Sequence, residues 1–352
     1  MDRPLVAVVL AGGTGTRLYP ASRSDRPKQF QSFGRDASLL TATVERAGFA
    51  DEVYVLTRPA FADGVREHAP EAAVLTEPEP KDTGPALTYA AHRIREQVGE
   101  CALVCLPSDH HVDGDFETTA RTAAEVAVET AGLVTVGVEP TRAAPGYGYI
   151  EPGERREPDR WGESDGASGD DRAESWAGYH TVASFTEKPD PETAARYVAE
   201  GYYWNAGIFA WTPDAFLAAA RDSPLEPLVT ALDDDSPDAG FAAVESVSVD
   251  YAVLEDNDET YLVPATFAWD DVGSWDAFER VLDADAAGNV VLGDALLADA
   301  EDCVVATDGH VSLVGVSDLV VASYGDRTLV VPKGETQRVR EVVEQLRAQG
   351  RY

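Results

Sequence analysis

Three glycines within four positions, Gly12, Gly13 and Gly15, are the residues of this chain best suited to binding an anion. Glycine adopts positive φ freely, so a tight glycine turn can direct consecutive backbone N–H groups at one phosphate. The turn follows residues 5–10, an apolar run of strand length, and open α/β sheets bind ligands at the carboxyl ends of their strands. The sequence therefore predicts that the N–H groups of Gly12, Gly13, Thr14, Gly15 and Thr16 bind phosphate, and that Leu10 and Ala11, which lead into the turn, also contact the ligand.

The glycine turn differs from two known phosphate-binding sequences. In a P-loop, Lys and then Ser or Thr follow the last glycine, whereas Thr16 and Arg17 follow Gly15 here. A dinucleotide-binding fingerprint requires a third glycine where this chain has Leu18. Neither sequence therefore accounts for the turn.

The charge around the turn is unusual for this chain. The sequence has 63 acidic and 28 basic residues, for a formal net charge of −35, which argues against nucleic-acid binding. Between Arg3 and Gln31, however, Arg17, Lys28 and three further arginines stand against one acidic residue, Asp25. A locally positive segment on an acidic protein predicts an anionic ligand.

Asp109 follows a second buried strand, predicted over residues 102–106. A carboxylate at the carboxyl end of a parallel strand faces the ligand crevice, and Mg²⁺ prefers oxygen ligands. Asp109 is therefore the first candidate for a magnesium ligand.

Six separated segments resemble the motifs of one family, the sugar-1-phosphate nucleotidyltransferases. The glycine turn and the following Pro27-Lys28-Gln29-Phe30 resemble its mannose-1-phosphate guanylyltransferase branch. The other five segments are residues 77–87, 107–110, 185–189, 203–209 and 269–275. The resemblance implies an α/β, Rossmann-like doubly wound mixed sheet, the nucleotidyltransferase fold, with a small C-terminal β domain.

The resemblance also implies roles for individual residues. Arg17 and Lys28 would hold the leaving phosphates, Lys188 the sugar phosphate, and Asp109 with Asp271 the Mg²⁺ cofactor. The residues placed beside the nucleotide base are Glu77, Lys81, Thr83 and Pro85. The residues placed at the sugar are Gly146, Tyr147, Glu187, Lys188, Asn205 and Gly207.

The implied reaction converts GTP and α-D-mannose 1-phosphate into GDP-mannose and pyrophosphate. Lys81, Asp82 and Gly84 depart from the family pattern beside the base, which leaves another base or sugar open. A catalytically silent, nucleotide-sugar-sensing subunit is the second alternative. Intact Lys28, Asp109, Lys188 and Asp271 argue against silence.

Alternating strands and helices predict βαβ crossovers and a parallel sheet before residue 140. We expect a nucleotidyltransferase domain over 1–285, with a mobile surface insertion over 153–178, where apolar periodicity is absent. Residues 286–352 predict a small β-helix-like domain, with short β runs and a terminal helix over 335–349.

Composition indicates a cytoplasmic protein, because the sequence has no apolar run of membrane-spanning length and begins directly with a strand. Scarce lysine together with pervasive acidity resembles the proteins of salt-accumulating halophiles, since molar salt screens repulsion between carboxylates. We expect a homodimer that has no nucleic-acid or membrane partner.

Overall fold

Strand β1 (Leu5–Leu10) lies in the interior of a nine-stranded sheet, as its unbroken apolar sequence predicts. In the computed structural model, which describes residues 3–34, 36–157, 178–255 and 257–352, this sheet belongs to the first of two compact units. The first unit comprises the described residues up to Leu10, of Arg46–Pro107 and of Val112–Trp269.

The remaining strands follow in chain order: β2 (Glu52–Thr57), β3 (Ala73–Thr76), β4 (Ala102–Pro107), β5 (His111–Gly114), β6 (Leu133–Val138), β7 (Tyr149–Arg156), β8 (Tyr179–Thr186), β9 (Tyr203–Trp211), β10 (Thr260–Pro264), β11 (Phe267–Asp270), β12 (Val290–Ala298), β13 (Val304–Val314), β14 (Leu319–Tyr324) and β15 (Arg327–Pro332). The α-helices are α1 (Leu39–Arg46), α2 (Ala62–His68), α3 (Thr83–Val98), α4 (Phe116–Thr130), α5 (Pro191–Glu200), α6 (Pro213–Arg221), α7 (Glu226–Asp233), α8 (Pro237–Ala243), α9 (Phe278–Val281) and α10 (Val339–Ala348).

The large sheet has the order β3-β2-β1-β4-β9-β6-β10-β8-β7. Strands β3, β2, β1 and β4 run parallel to one another, as the alternation of strands and helices predicts. Strand β9 then lies antiparallel between β4 and β6, with Ala210 opposite both Val104 and Val134. The sheet is therefore mixed, which confirms the fold class that the resemblance implied.

Helix α3 shows why these elements pack together. Its residues Ala86, Leu87, Ala90, Ala91 and Ile94 recur at helical spacing and are all buried. They belong to one hydrophobic core that includes residues of β1 and β4. The Asp82 carboxylate accepts a hydrogen bond from the Thr83 N–H and caps the helix at its start.

The second compact unit comprises the described residues of Ala11–Glu45, Ser108–His111 and Asp270–Tyr352. Its sheet has the order β12-β13-β14-β15, with β12, β13 and β14 parallel and β15 antiparallel. This small β domain confirms the second part of the expected fold. Its core includes Leu18 just after the glycine turn, Trp275, and Val339 of α10.

The C-terminal helix and the predicted insertion differ in extent from the expectation. Residues 333–338 form a tighter 3₁₀ turn, and α10 begins only at Val339. Strand β7 continues to Arg156, four residues into the predicted insertion over 153–178, because it pairs there with β8. Most of that insertion, residues 158–177, lies outside the described residues. The division of the chain at residue 285 stays a prediction.

Among the helices of the described ranges, none is both long enough and apolar enough to cross a membrane.

Candidate active site

The glycine turn owes its shape to Gly15, which has a φ of 64°. A Cβ atom at this position would lie 2.5 Å from the Lys28 Cβ, so any other residue would displace the lysine. The turn is also tied down by hydrogen bonds: Ser22 Oγ donates to the Thr14 carbonyl, and Gln29 Nε2 donates to the Ala11 carbonyl at 2.9 Å. Gly15 thus allows the turn to pack directly against Lys28.

A cavity of about 360 Å³, here called the glycine-loop cavity, lies entirely within the second unit. Three cationic and two carboxylate side chains face it, together with backbone of the turn, on a chain whose formal net charge is −35. Its lining residues are Thr14, Gly15, Thr16, Arg17, Lys28, Asp109, His110, Asp271, Gly273 and Arg340.

Lys28 connects the two predicted metal ligands. Its Nζ donates to Asp109 Oδ2 at 2.9 Å and to the backbone carbonyl of Asp271 at 3.1 Å. The residue is only 3% exposed, and a buried ammonium is tolerated because it is paired and hydrogen-bonded. Lys28 therefore fixes the segments that carry both carboxylates.

The Asp109 carboxylate is held in its ionised form. Burial alone would raise its pKa, but the Lys28 ammonium and His110 outweigh burial and lower the pKa below its usual range. Asp271 Oδ1 accepts from the Gly273 N–H at 3.1 Å, and a Cβ at Gly273 would lie 2.6 Å from Asp271 Oδ2. Gly273 thus allows the Asp271 side chain to fold back beside its own backbone.

The donor set suits Mg²⁺ supplied together with a substrate. No group of three or more His, Cys, Asp or Glu side chains that could hold a metal occurs within the part of the chain that the structure describes. Two carboxylates do face the glycine-loop cavity, however, and Mg²⁺ is commonly bound by one or two carboxylates plus substrate phosphates. Asp109 and Asp271 therefore fit a metal that arrives with phosphates.

Glu77 stands out in the first unit. It is 5% exposed, and its Oε2 is buried without a hydrogen-bond partner in the described structure. Burial raises its pKa to about 7, although Arg58 opposes the shift. This carboxyl oxygen has no donor within the described protein, so it is available to a donor group of a ligand or a water molecule.

The neighbouring residues of the predicted base segment have partners within the protein. Lys81 Nζ donates to the Val244 carbonyl at 2.9 Å, and Thr83 Oγ1 accepts from the Val249 N–H at 2.9 Å. A Cβ at residue 84 would lie 2.7 Å from the Val247 carbonyl, which accepts from the Gly84 N–H at 3.0 Å. The departure to glycine at 84 is therefore a packing adjustment, and Pro85 lies in the first turn of α3, where its missing N–H costs nothing.

The predicted sugar residues of the first unit lie around the turn at 146–148. Glu187 Oε2 approaches this turn so closely that a Cβ at Gly148 would lie 2.5 Å from it. Lys188 has a left-handed φ of 48°, donates its N–H to the Tyr147 carbonyl at 3.2 Å and pairs through Nζ with Glu187 Oε1. Gly146 is exposed, and a Cβ there would meet nothing within 4 Å.

The Asn205 amide is oriented by partners on both sides. Its Oδ1 accepts from Thr135 Oγ1 at 3.0 Å and from the Gly207 N–H at 3.1 Å, and its Nδ2 donates to Asp250 Oδ1 at 2.7 Å. The Asn205 carbonyl oxygen therefore has two donors already, which leaves one N–H of the amide to donate to a sugar hydroxyl.

Asp250 is a residue that sequence reasoning missed. Burial and the nearby Glu187 raise its pKa to about 6. It begins a π-helical turn over Asp250–Leu254, a form that often occurs at functional sites. The available signal was a single carboxylate within the otherwise apolar run from Val249 to Leu254.

The residues predicted to bind phosphate and metal thus lie in the second unit, except Leu10. The residues predicted to bind the base and the sugar lie in the first unit. Arg340 and Gly273 are further lining residues that sequence reasoning missed.

Comparison with known proteins matches both parts of the chain. A family model described as Nucleotidyl transferase matches residues 6–288. A second, described as MannoseP isomerase/GMP-like beta-helix domain, matches residues 284–346.

Similar proteins carry consistent names. A putative mannose-1-phosphate guanylyltransferase of Vibrio cholerae is 34% identical over 98% of this chain and 75% of its own length. A mannose-1-phosphate guanylyltransferase of Escherichia coli is 35% identical over 99% of this chain and 74% of its own length. A crystal structure from Thermus thermophilus, described as mannose-1-phosphate geranyltransferase, superposes with a TM-score of 0.85 at 35% identity, covering 98% of this chain and 99% of that one.

Proposed function

The chain belongs to the mannose-1-phosphate guanylyltransferases, within the nucleotidyl transferase family, and we propose that its residues carry out nucleotidyl transfer from GTP to α-D-mannose 1-phosphate. The products are GDP-mannose and pyrophosphate. The observation that carries the proposal is the placement of Lys28, Asp109 and Asp271 beside the glycine turn in one cavity.

The reaction is a single in-line displacement at phosphorus. A phosphate oxygen of mannose 1-phosphate forms a bond to the α-phosphorus of GTP, and the bond from that phosphorus to the bridging oxygen of the β-phosphate breaks. The electron pair leaves with pyrophosphate. No proton must be removed from the ionised phosphate nucleophile, so catalysis consists of positioning and charge neutralisation.

The glycine turn and its cations hold the leaving phosphates. Backbone of residues 12–16 surrounds them, and Arg17 supplies a fork of donors. Lys28 has three donors, of which two are directed at Asp109 and at the Asp271 carbonyl. Its third N–H is then the donor for a phosphate oxygen.

Asp109 and Asp271 would hold Mg²⁺. When bound, this cation neutralises charge on the nucleotide and sugar phosphates. The lowered pKa of Asp109 keeps that carboxylate ionised and ready to bind a cation at neutral pH.

Glu77 is the residue that reads the base. The Watson–Crick edge of guanine presents N1–H and N2–H₂ donors, which match a carboxylate, whereas adenine presents an acceptor at N1. Because Glu77 is buried and its Oε2 has no partner, a base that offers no donors leaves the carboxylate unsatisfied. Lys81, Thr83 and Pro85 support the segment that positions Glu77.

Glu187, Asn205 and Asp250 bind the sugar hydroxyls, and Lys188 binds the sugar phosphate. The exposed ammonium of Lys188 can turn from Glu187 towards a phosphate, which carries more negative charge than a carboxylate. Gly146, Tyr147 and Gly207 shape the surrounding turns.

The role of Asp271 is tested by Asp271→Asn, which keeps the side-chain shape and removes the charge. We expect pyrophosphate release to fall by about 10² or more, the usual effect of removing one preorganised electrostatic group. Lys28→Ala should have an effect of similar size. Asp294→Asn, which removes an exposed carboxylate paired with His310, is the matched control and should keep wild-type turnover. Near-wild-type turnover of Asp271→Asn would show that Asp271 has no catalytic role.

A homodimer without nucleic-acid partners, a cytoplasmic location and adaptation to high salt complete the proposal. Light scattering of the purified protein at molar KCl measures the oligomeric state.

A further inference from the structure

Arg340, from the C-terminal helix α10, lines the glycine-loop cavity together with Arg17 and Lys28. We propose that Arg340 is a further phosphate-binding residue, which contacts the β- and γ-phosphates of the nucleoside triphosphate and the pyrophosphate that leaves. The identity of that nucleotide rests on the proposed function. The inference adds the last helix of the chain to the residues that bind the leaving group.

Arg340 has no competing carboxylate partner in the described residues. In residues 3–34, 36–157, 178–255 and 257–352, no carboxylate lies within ion-pair distance of Arg340. Two residues earlier, Arg338 pairs with Glu335 and Glu341, each at 3.1 Å. On a chain with 63 acidic residues, an arginine that faces a cavity without a carboxylate partner is available to an anion.

The protein core holds the part of α10 that carries Arg340 in place. Val339 and Val343 are each 1% exposed and belong to the same hydrophobic core as Leu18, beside the glycine turn. Before the helix, Thr336 Oγ1 donates to Asp276 Oδ1 at 2.8 Å. The backbone that carries Arg340 is therefore fixed by packing on one side and by a hydrogen bond ahead of it.

The face of α10 that carries Arg340 also contacts the glycine turn. Arg347 follows Arg340 by seven residues, about two helical turns, so both side chains leave the helix on one face. Arg347 Nη2 donates to Thr14 Oγ1 at 3.4 Å. Gln337, in the preceding turn, accepts from Arg17 Nη1 at 3.3 Å. The helix thus presents Arg340 to a cavity whose other cations the proposed mechanism assigns to phosphates.

Arginine suits this position because its planar guanidinium donates two parallel hydrogen bonds to phosphate oxygens. The side chain is exposed, so water solvates its charge before the ligand arrives. Pyrophosphate and the β- and γ-phosphates of GTP share this chemistry. GDP-mannose lacks the leaving phosphates, which distinguishes it from both.

The experiment compares ligand binding by calorimetry at molar KCl with Mg²⁺, using GTP, inorganic pyrophosphate and GDP-mannose as probes. Arg340→Gln should weaken GTP and pyrophosphate about tenfold, the lower end expected for a charge-assisted contact at an exposed site. GDP-mannose affinity should change less than twofold. Arg340→Lys keeps the positive charge but lacks the planar guanidinium, so its affinities for GTP and pyrophosphate should lie between those of wild type and Arg340→Gln. Arg338→Gln is the matched control on the neighbouring turn and should bind all three ligands as wild type does.

Unchanged affinity of Arg340→Gln for GTP and pyrophosphate would overturn the inference, as would an equal loss for all three ligands. Melting curves and the Arg340→Lys variant show whether the substitution disturbs the fold, since only a phosphate contact produces the graded series. If the wild-type protein released no pyrophosphate from GTP and mannose 1-phosphate, the proposed function would fail. Binding of pyrophosphate would still decide the role of Arg340.

Discussion

Glu77 links a single buried carboxyl group to the choice of base. Its pKa of about 7 means that the ligand-free carboxyl is protonated below this pH, whereas guanine N1–H and N2–H₂ require a carboxylate. The KM for GTP should therefore rise as the pH falls below about 7, by up to about tenfold per pH unit. Steady-state kinetics between pH 6 and 8 measure this dependence.

Glu77→Gln removes the titrating group. The variant should lose this pH dependence and raise the KM for GTP by about 10², because the Gln amide keeps one acceptor and places an N–H₂ donor against the second guanine donor. Glu71→Gln, an exposed carboxylate that precedes β3, is the control and should behave as wild type. A Glu77→Gln enzyme that kept both its preference for GTP and its pH dependence would assign base recognition to another residue.

Individual residues could be predicted from sequence where a motif and a strand end coincide. Lys28, Asp109 and Asp271 were placed by the resemblance, with Asp109 also supported by its strand, and all three line the glycine-loop cavity. Asp250 and Arg340 could not be predicted as site residues, because the sequence around them does not show which residues they face. Asp250 meets Asn205 from 45 residues away, and Arg340 faces a cavity whose remaining lining residues all precede it by more than 60 positions.

The glycine turn is the element on which the site depends, and Gly15→Ala tests it. Alanine at Gly15 would combine left-handed strain of about 1 to 2 kcal/mol with a collision against Lys28 Cβ. We expect turnover to fall by about 10² or more, because the displaced Lys28 no longer fixes Asp109. Pyrophosphate release and the free energy of unfolding are the measurements.

Gly201→Ala separates the strain from the collision. Gly201 also has left-handed φ and ψ, at the end of α5, but a Cβ there would meet nothing within 4 Å. Because of similar backbone strain, this control should lose a similar free energy of unfolding, but it should keep wild-type turnover. Equal turnover in the two variants would mean that the approach of Gly15 to Lys28 is not needed for catalysis.

Elements with a single dominant pattern were predictable. The apolar run of β1 forms the expected buried strand. Helix α5 begins after Asp190 and Pro191, residue types that favour a helix start, and Asp190 accepts from the Glu192 and Thr193 N–H groups. The antiparallel direction of β9 was not predictable, because its apolar residues suit a buried strand of either direction. The extension of β7 to Arg156 was missed because pairing with β8 stabilises residues that show no apolar alternation.

For the whole molecule, the charge of −35 predicts salt-dependent stability. Repulsion between surface carboxylates is screened at molar KCl, where the Debye length is about 3 Å, and grows as the salt is diluted. We expect the Tm to fall by about 10 °C or more between 3 M and 0.1 M KCl. Scanning calorimetry over this range measures the change.

Sucrose is the control for this prediction, because it strengthens burial without screening charge. At 0.1 M KCl, sucrose should reverse only a small part of the decrease in Tm. A Tm independent of salt would show that the acidity of the chain is not an adaptation to concentrated salt.

Pyrophosphate release from defined substrate pairs tests the central claim most directly. The assay contains molar KCl and Mg²⁺, and compares GTP with mannose 1-phosphate against ATP, UTP, dTTP and glucose 1-phosphate. We expect release with GTP and mannose 1-phosphate, at rates at least about tenfold above every other pair. Preferred release with another nucleotide or sugar phosphate would contradict the assigned substrates, and no release with any pair would contradict the enzyme itself.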